Sequence, residues 1–177
     1  MADQDNLTRR ELIQLTAAAS VAGAVAPSGL ASEPALKFFS KEEFAMVDEL
    51  SELIIPTDEH SPGARAAQVA AYIDGQLAES FDDAPKHRWH EGLARINSLS
   101  QEMYGRPFMQ ATPEQRVALL TRIAKNEEKP QTQEEHFFQE VKARTAHAYY
   151  TSKIGIHQEM EYKGNVLLQE FVGYEVK

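Results

Sequence analysis

Three times from Ser40 onward a serine or threonine stands three residues ahead of a glutamate or glutamine, at the head of an apolar run with helical spacing: Ser40 with Glu43, Thr112 with Gln115, and Thr132 with Glu135. In such a pair each side chain accepts a hydrogen bond from the other residue's backbone N–H, satisfying donors that the first turn of a helix otherwise leaves free. The run after Ser40 places Phe44, Val47, Leu50 and Ile54 on one face, and Pro56 stops it. A second helix is expected to carry Val69, Tyr72, Ile73, Leu77 and Phe81 inward. A third, with Pro85 in its first turn, carries Trp89, Leu93, Ile96, Leu99 and Met103, and Arg106-Pro107 breaks it. The Thr112 helix, with Pro113 at its first position, presents Val117, Leu120 and Ile123. The longest helix is expected after Thr132, with Phe137, Phe138, Val141, Thr145, Ala148 and Tyr149 inward.

From Ser40 onward no run of alternating β-branched residues nominates a strand. The expected fold is therefore all-α, a single domain of five to six helices over residues 32–177. Around Gly155 and Gly164, short helices or turns carry Ile154, Ile156, Met160, Tyr162, Leu167, Leu168, Phe171 and Val172. Segments 32–39 and 126–131 are expected to be the most mobile.

Residues 1–31 follow a different pattern. Arg9 and Arg10 precede a fifteen-residue uncharged stretch from Leu12 to Ala26. A helix needs about 20 apolar residues to cross a bilayer core, and this stretch is both shorter and interrupted by Gln14, Thr16, Ser20 and Gly23. A charged start, a short apolar middle and a small-residue exit are the marks of an export signal. Ala31 is the first choice of cleavage site and Ala26 the second. The paired arginines and weak apolar region resemble a twin-arginine (Tat) signal, read by a translocation receptor. The other reading is an ordinary amphipathic N-terminal helix.

The charge balance of 18 basic against 27 acidic residues, net −9, argues against nucleic acid as a partner. With no cysteine in the chain, disulfides, iron–sulfur ligation, thiol nucleophiles and thiolate zinc sites are all excluded. No glutamate has a histidine three residues on, so the Glu-x-x-His ligands of di-iron bundles are missing. His90-Glu91 has Ala94 where a zincin needs its second histidine, and no Gly-x-Ser-x-Gly elbow or glycine-rich phosphate loop is present. What survives are His87, His90 and Glu91 on one helix, the i, i+4 pairs His136/Glu140 and His157/Glu161, and the run Asp58-Glu59-His60. A metal-binding protein or enzyme built on His60, His87 or His157 is one reading of these groups. Solvated helix faces, ordinary side-chain pairs and a polar turn are the other.

Two stretches resist explanation as generic core. Leu53 to Arg65 runs from apolar residues straight into a loop with Pro56, Pro62 and Gly63, and Tyr149 to His157 sets two adjacent aromatics before a polar turn. Neighbours on a helix point about 100° apart, so Tyr149 and Tyr150 do not share one core stripe. The candidate partner-facing residues are Ile55, Pro56, Asp58 and Pro62 in the first stretch, and Tyr150, Ile156 and Tyr162 in or just after the second. The alternative is that the stretches fold against each other as the cap of a bundle.

Ile54-Ile55-Pro56-Thr57-Asp58 with Ser61-Pro62-Gly63-Ala64, then Tyr72-Ile73-Asp74, Tyr149-Tyr150-Thr151-Ser152 with Ile154-Gly155, and Glu161-Tyr162-Lys163-Gly164-Asn165 together resemble the gluconate 2-dehydrogenase subunit 3 family. The resemblance implies a small, non-catalytic gamma subunit of a periplasmic sugar or sugar-acid dehydrogenase, with no catalytic, cofactor or metal residue of its own. The implied partners are a large flavoprotein of the glucose–methanol–choline type carrying FAD, frequently a cytochrome c subunit with haem, and the Tat machinery. The resemblance also implies that the large subunit lacks an export signal of its own and would cross the membrane folded, as passenger of the small one. One departure stands out: members often end in Gly-Cys with a histidine nearby, whereas Gly173-Tyr174-Glu175-Val176-Lys177 closes this chain.

Overall fold

The structure, a computed structural model, describes residues 36–162 and residue 164. Arg9, Arg10, both candidate cleavage sites and the boundary after residue 31 lie outside the described residues. So do Leu167, Leu168, Phe171, Val172 and the closing Gly173 to Lys177.

All three expected capping boxes form. They open α1 (Lys41–Ile54), α5 (Pro113–Ala124) and α6 (Gln133–Thr151). Between α1 and α5 lie the one-turn helix α2 (Gly63–Ala66), α3 (Val69–Glu79) and α4 (Asp83–Tyr104), with a 3-10 turn at Phe108–Gln110. The longest helix is α4 at 22 residues, against 19 for α6, because the Asp82 carboxylate caps it by accepting the Ala84 N–H at 2.9 Å, ahead of Pro85. Among the described residues there is no strand; a single β-bridge joins Thr57 to Pro62.

The helix α6 is the hub, packing against α1, α3, α4 and α5. Its six expected inward residues are all buried, and Trp89, Leu93, Ile96 and Leu99 of α4 are buried in the same core. The Trp89 and Phe137 rings stand edge to face at 5.3 Å. There Gly92 lets the helices close up, since a Cβ would overlap the Phe137 ring.

Three expected core residues are not core. Phe81 lies beyond the end of α3 and is fully exposed, because the helix stops at Glu79 and the next cap begins at Asp82. Tyr72 sits at the edge of the buried face formed by Val69, Ala70, Ile73, Asp74 and Leu77, with its hydroxyl accepting from the Gln76 amide at 3.0 Å. Val117 is exposed because the inward face of α5 runs through Arg116, Leu119, Leu120 and Ile123. Arg116 donates to the carbonyls of Phe108, Met109 and Ala111 and to Glu49 at 2.7–3.2 Å, so a charged group stands where the periodicity expects an apolar one.

The two segments expected to be most mobile are tied down where they are described. Glu135 accepts from the Gln131 and Thr132 N–H groups and the Asn126 amide. The buried Asp74 carboxylate accepts from the N–H groups of Lys37, Phe38 and Phe39.

Candidate functional site

The loop after α1 is folded on its own polar groups. Glu52 accepts at one oxygen from the Thr57 N–H at 2.9 Å and hydroxyl at 2.7 Å, and at the other from the Arg65 N–H at 2.9 Å. Burial alone pushes the Glu52 carboxyl up; these donors outweigh it and hold the group below its ordinary pKa. Asp58 accepts from the His60 and Ser61 N–H groups at 2.8 and 2.7 Å, the bonds of an Asx turn, which hold its carboxyl below the ordinary range. Gly63 has φ +81°, and a Cβ there would overlap the Thr57 hydroxyl and the Glu52 carboxylate.

The second stretch begins where α6 ends. Tyr149 is fully buried and Tyr150 is 44% exposed, with their rings edge to face at 5.3 Å. The Ser152 hydroxyl donates to the Tyr149 carbonyl at 2.6 Å and accepts the Gly155 N–H at 3.0 Å. Gly155 then lies against the backbone of Tyr149 and Tyr150 so closely that any Cβ would collide with the Tyr149 carbonyl. A π turn over Gly155–Glu159 follows, and the Tyr162 N–H returns to the Ile156 carbonyl at 3.0 Å.

Tyr149 joins the two stretches. Its hydroxyl lies 2.8 Å from that of Ser61 and 3.3 Å from a Glu159 carboxylate oxygen. Glu159 only accepts and Ser61 already accepts the Gly63 N–H, so the chain of donation runs Gly63 to Ser61 to Tyr149 to Glu159. Burial raises the Tyr149 phenol pKa; the Ser61 bond opposes this, Glu159 adds to it, and the net shift is upward.

The expected partner-facing residues therefore divide. Ile55 packs against the core, while Ile156 and Pro62 are half-buried around the junction. Pro56 and Asp58 are exposed on the first stretch, and Tyr150 and Tyr162 on or just after the second, at 44% and 48%; Met160, which is not one of the expected residues, is also exposed, at 51%. The stretches thus cap the bundle together and still leave aromatic and apolar surface outward.

The histidines are dispersed. His60, His87 and His157 are exposed, and His90 turns to Glu43, Nδ1 to Oε1 at 2.6 Å. Glu140 does not pair with His136; it accepts the buried Trp89 indole N–H at 2.9 Å and is flanked by Arg144 at 3.3 Å and Arg88 at 3.5 Å. Among the described residues no three His, Asp or Glu side chains are grouped to hold a metal ion. A cleft of about 210 Å³ between α4 and α6 is floored by Phe137, and the ion pair Arg88–Glu140 spans part of its rim. No described helix is long and apolar enough to cross a membrane. Sequence reasoning missed Glu52 and Asp74, whose partners lie outside their own helices; the only local signal was an aspartate on the inward face of α3.

Comparison with curated proteins and with solved structures returns no match in either case. The family model of gluconate 2-dehydrogenase subunit 3 matches residues 41–166, a span that begins with α1 and covers both joined stretches. The chain belongs to the gluconate 2-dehydrogenase subunit 3 family.

Proposed function

We propose that this chain is the small, non-catalytic subunit of a FAD-dependent sugar or sugar-acid dehydrogenase, and that it docks on a flavoprotein of the glucose–methanol–choline type and brings it to the periplasm. The observation that carries this reading is membership, over residues 41–166, in a family of dehydrogenase subunits. FAD belongs to the large subunit, and haem to a cytochrome c where one completes the complex. Arg9 and Arg10 serve the twin-arginine route, with the folded flavoprotein as passenger; the short uncharged stretch behind them supports this.

The docking surface is the bundle end built by the loop after α1 and the π turn after α6. Obligate interfaces commonly bury about 2,000 Å² or more and favour aromatic groups and methionine at their centre. Tyr150, Met160 and Tyr162 supply such groups, and the Tyr149–Ser61 tie keeps Pro56 and Asp58 in the same assembly. The reading is tested by affinity capture of the full chain from cells that make it naturally. Flavin absorbance and a co-purifying large subunit are expected; a captured chain free of flavoprotein would overturn it.

A further inference from the structure

Asp74 has no part in the docking surface, yet it is one of the few buried charged residues, 3% exposed on the inward face of α3. Its Oδ2 accepts the Lys37 N–H at 2.8 Å, and its Oδ1 accepts the Phe38 and Phe39 N–H groups at 3.0 and 2.8 Å. A buried carboxylate without such donors is costly, and three successive N–H groups form a concave anion site that suits it. Two of these three residues, Phe38 and Phe39, also pack against α4. The Phe39 ring is buried 5.7 Å from Trp89, and the Phe38 ring lies 4.6 Å from His90.

We propose that Asp74 is a clasp that holds residues 37–39 against proteolysis, so that proteolytic processing of the N-terminal segment stops ahead of Lys37. A protease binds several residues in extended form through their backbone, and here the N–H groups of residues 37–39 are all engaged and Phe39 is buried. Lys37 makes the case testable. Its side chain is 59% exposed, so a trypsin-like enzyme reaches the side chain and is refused by the backbone. In the cell the clasp would limit trimming after cleavage at Ala31 or Ala26, and only that use rests on the export reading.

The chain has no Lys or Arg between Arg10 and Lys37, so a tryptic fragment beginning at Phe38 reports on this one bond. Limited trypsin digestion of the full chain, followed by intact mass measurement, is expected to leave Lys37–Phe38 uncut in the wild type. In D74N the amide nitrogen replaces one acceptor and faces either the Lys37 N–H or those of Phe38 and Phe39. Cleavage at this bond is expected to be at least about tenfold faster there, with helical circular dichroism retained. Equal rates in the two proteins would overturn the proposal. Should D74N fail to fold, wild-type hydrogen exchange decides: protected amides at residues 37–39 support the clasp, and exchange at free-peptide rates overturns it. Export is scored separately by fractionation, so a failure of that reading leaves the digestion result unchanged.

Discussion

The Tyr149 hydroxyl lies 2.8 Å from the Ser61 hydroxyl, 88 residues earlier in the chain, and this bond makes one surface of two loops. Replacing Tyr149 by Phe keeps the ring and removes the bonds to Ser61 and Glu159. Loss of stability of about 1 to 2 kcal/mol is expected, and thermal unfolding followed by circular dichroism should show a midpoint lower by several degrees. Burial and Glu159 hold the Tyr149 phenol above its ordinary pKa, so a phenol titrating above the ordinary tyrosine range is expected in the wild-type absorbance titration and should be missing from this variant.

Gly155 is expected to tolerate no side chain. Its place against the Tyr149 carbonyl leaves no room for a Cβ, so Gly155→Ala should cost about 2 to 4 kcal/mol or displace the π turn. Urea unfolding measures the loss, and a variant as stable as wild type would show that the turn is held differently.

Acid should loosen the first loop before the bundle. Glu52 and Asp58 both have pKa values below their ordinary ones, so their bonds stabilise the fold above the unfolded-state values of 4.5 and 3.8 and fade as pH falls through the lower folded values. Asp58 is exposed and Glu52 only half-buried, and the effect is correspondingly modest. The unfolding midpoint of the wild type should drop more steeply below pH 4.5 than that of Glu52→Gln; parallel curves would remove Glu52 from the account.

What was legible in the sequence is what short-range chemistry decides. The capping boxes at Ser40, Thr112 and Thr132 and the inward face of α6 depend on residues within one or two turns, and all of them form. Val117 misleads because the half-buried Arg116 is turned inward by four hydrogen bonds, which a periodicity of apolar residues does not register. Phe81 misleads because a cap at Asp82 ends the pattern early. The roles of Asp74 and Ser61 depend on partners 35 to 37 and 88 residues away; the position of Asp74 on the inward face of α3 hints at burial, and nothing local names its partners.

The proposed export signal yields a prediction of its own. Lysine in place of Arg9 and Arg10 should strand both this protein and its flavoprotein in the cytoplasm, because the stretch behind the pair is short and weakly apolar. Fractionation showing normal periplasmic flavoprotein in that double variant would sink the passenger idea.

Docking at the joined loops is the central claim, and the affinity of the small subunit for its purified flavoprotein tests it most directly. Tyr150→Ala removes an exposed ring that packs edge to face on Tyr149 but makes none of the hydrogen bonds of the Tyr149–Ser61 tie, and Phe81→Ala removes one from the turn between α3 and α4. The account predicts that Tyr150→Ala weakens binding about tenfold or more while helical content is unchanged, and that Phe81→Ala binds as wild type. Full-strength binding by Tyr150→Ala, with loss confined to Phe81→Ala, would place the interface elsewhere and contradict it.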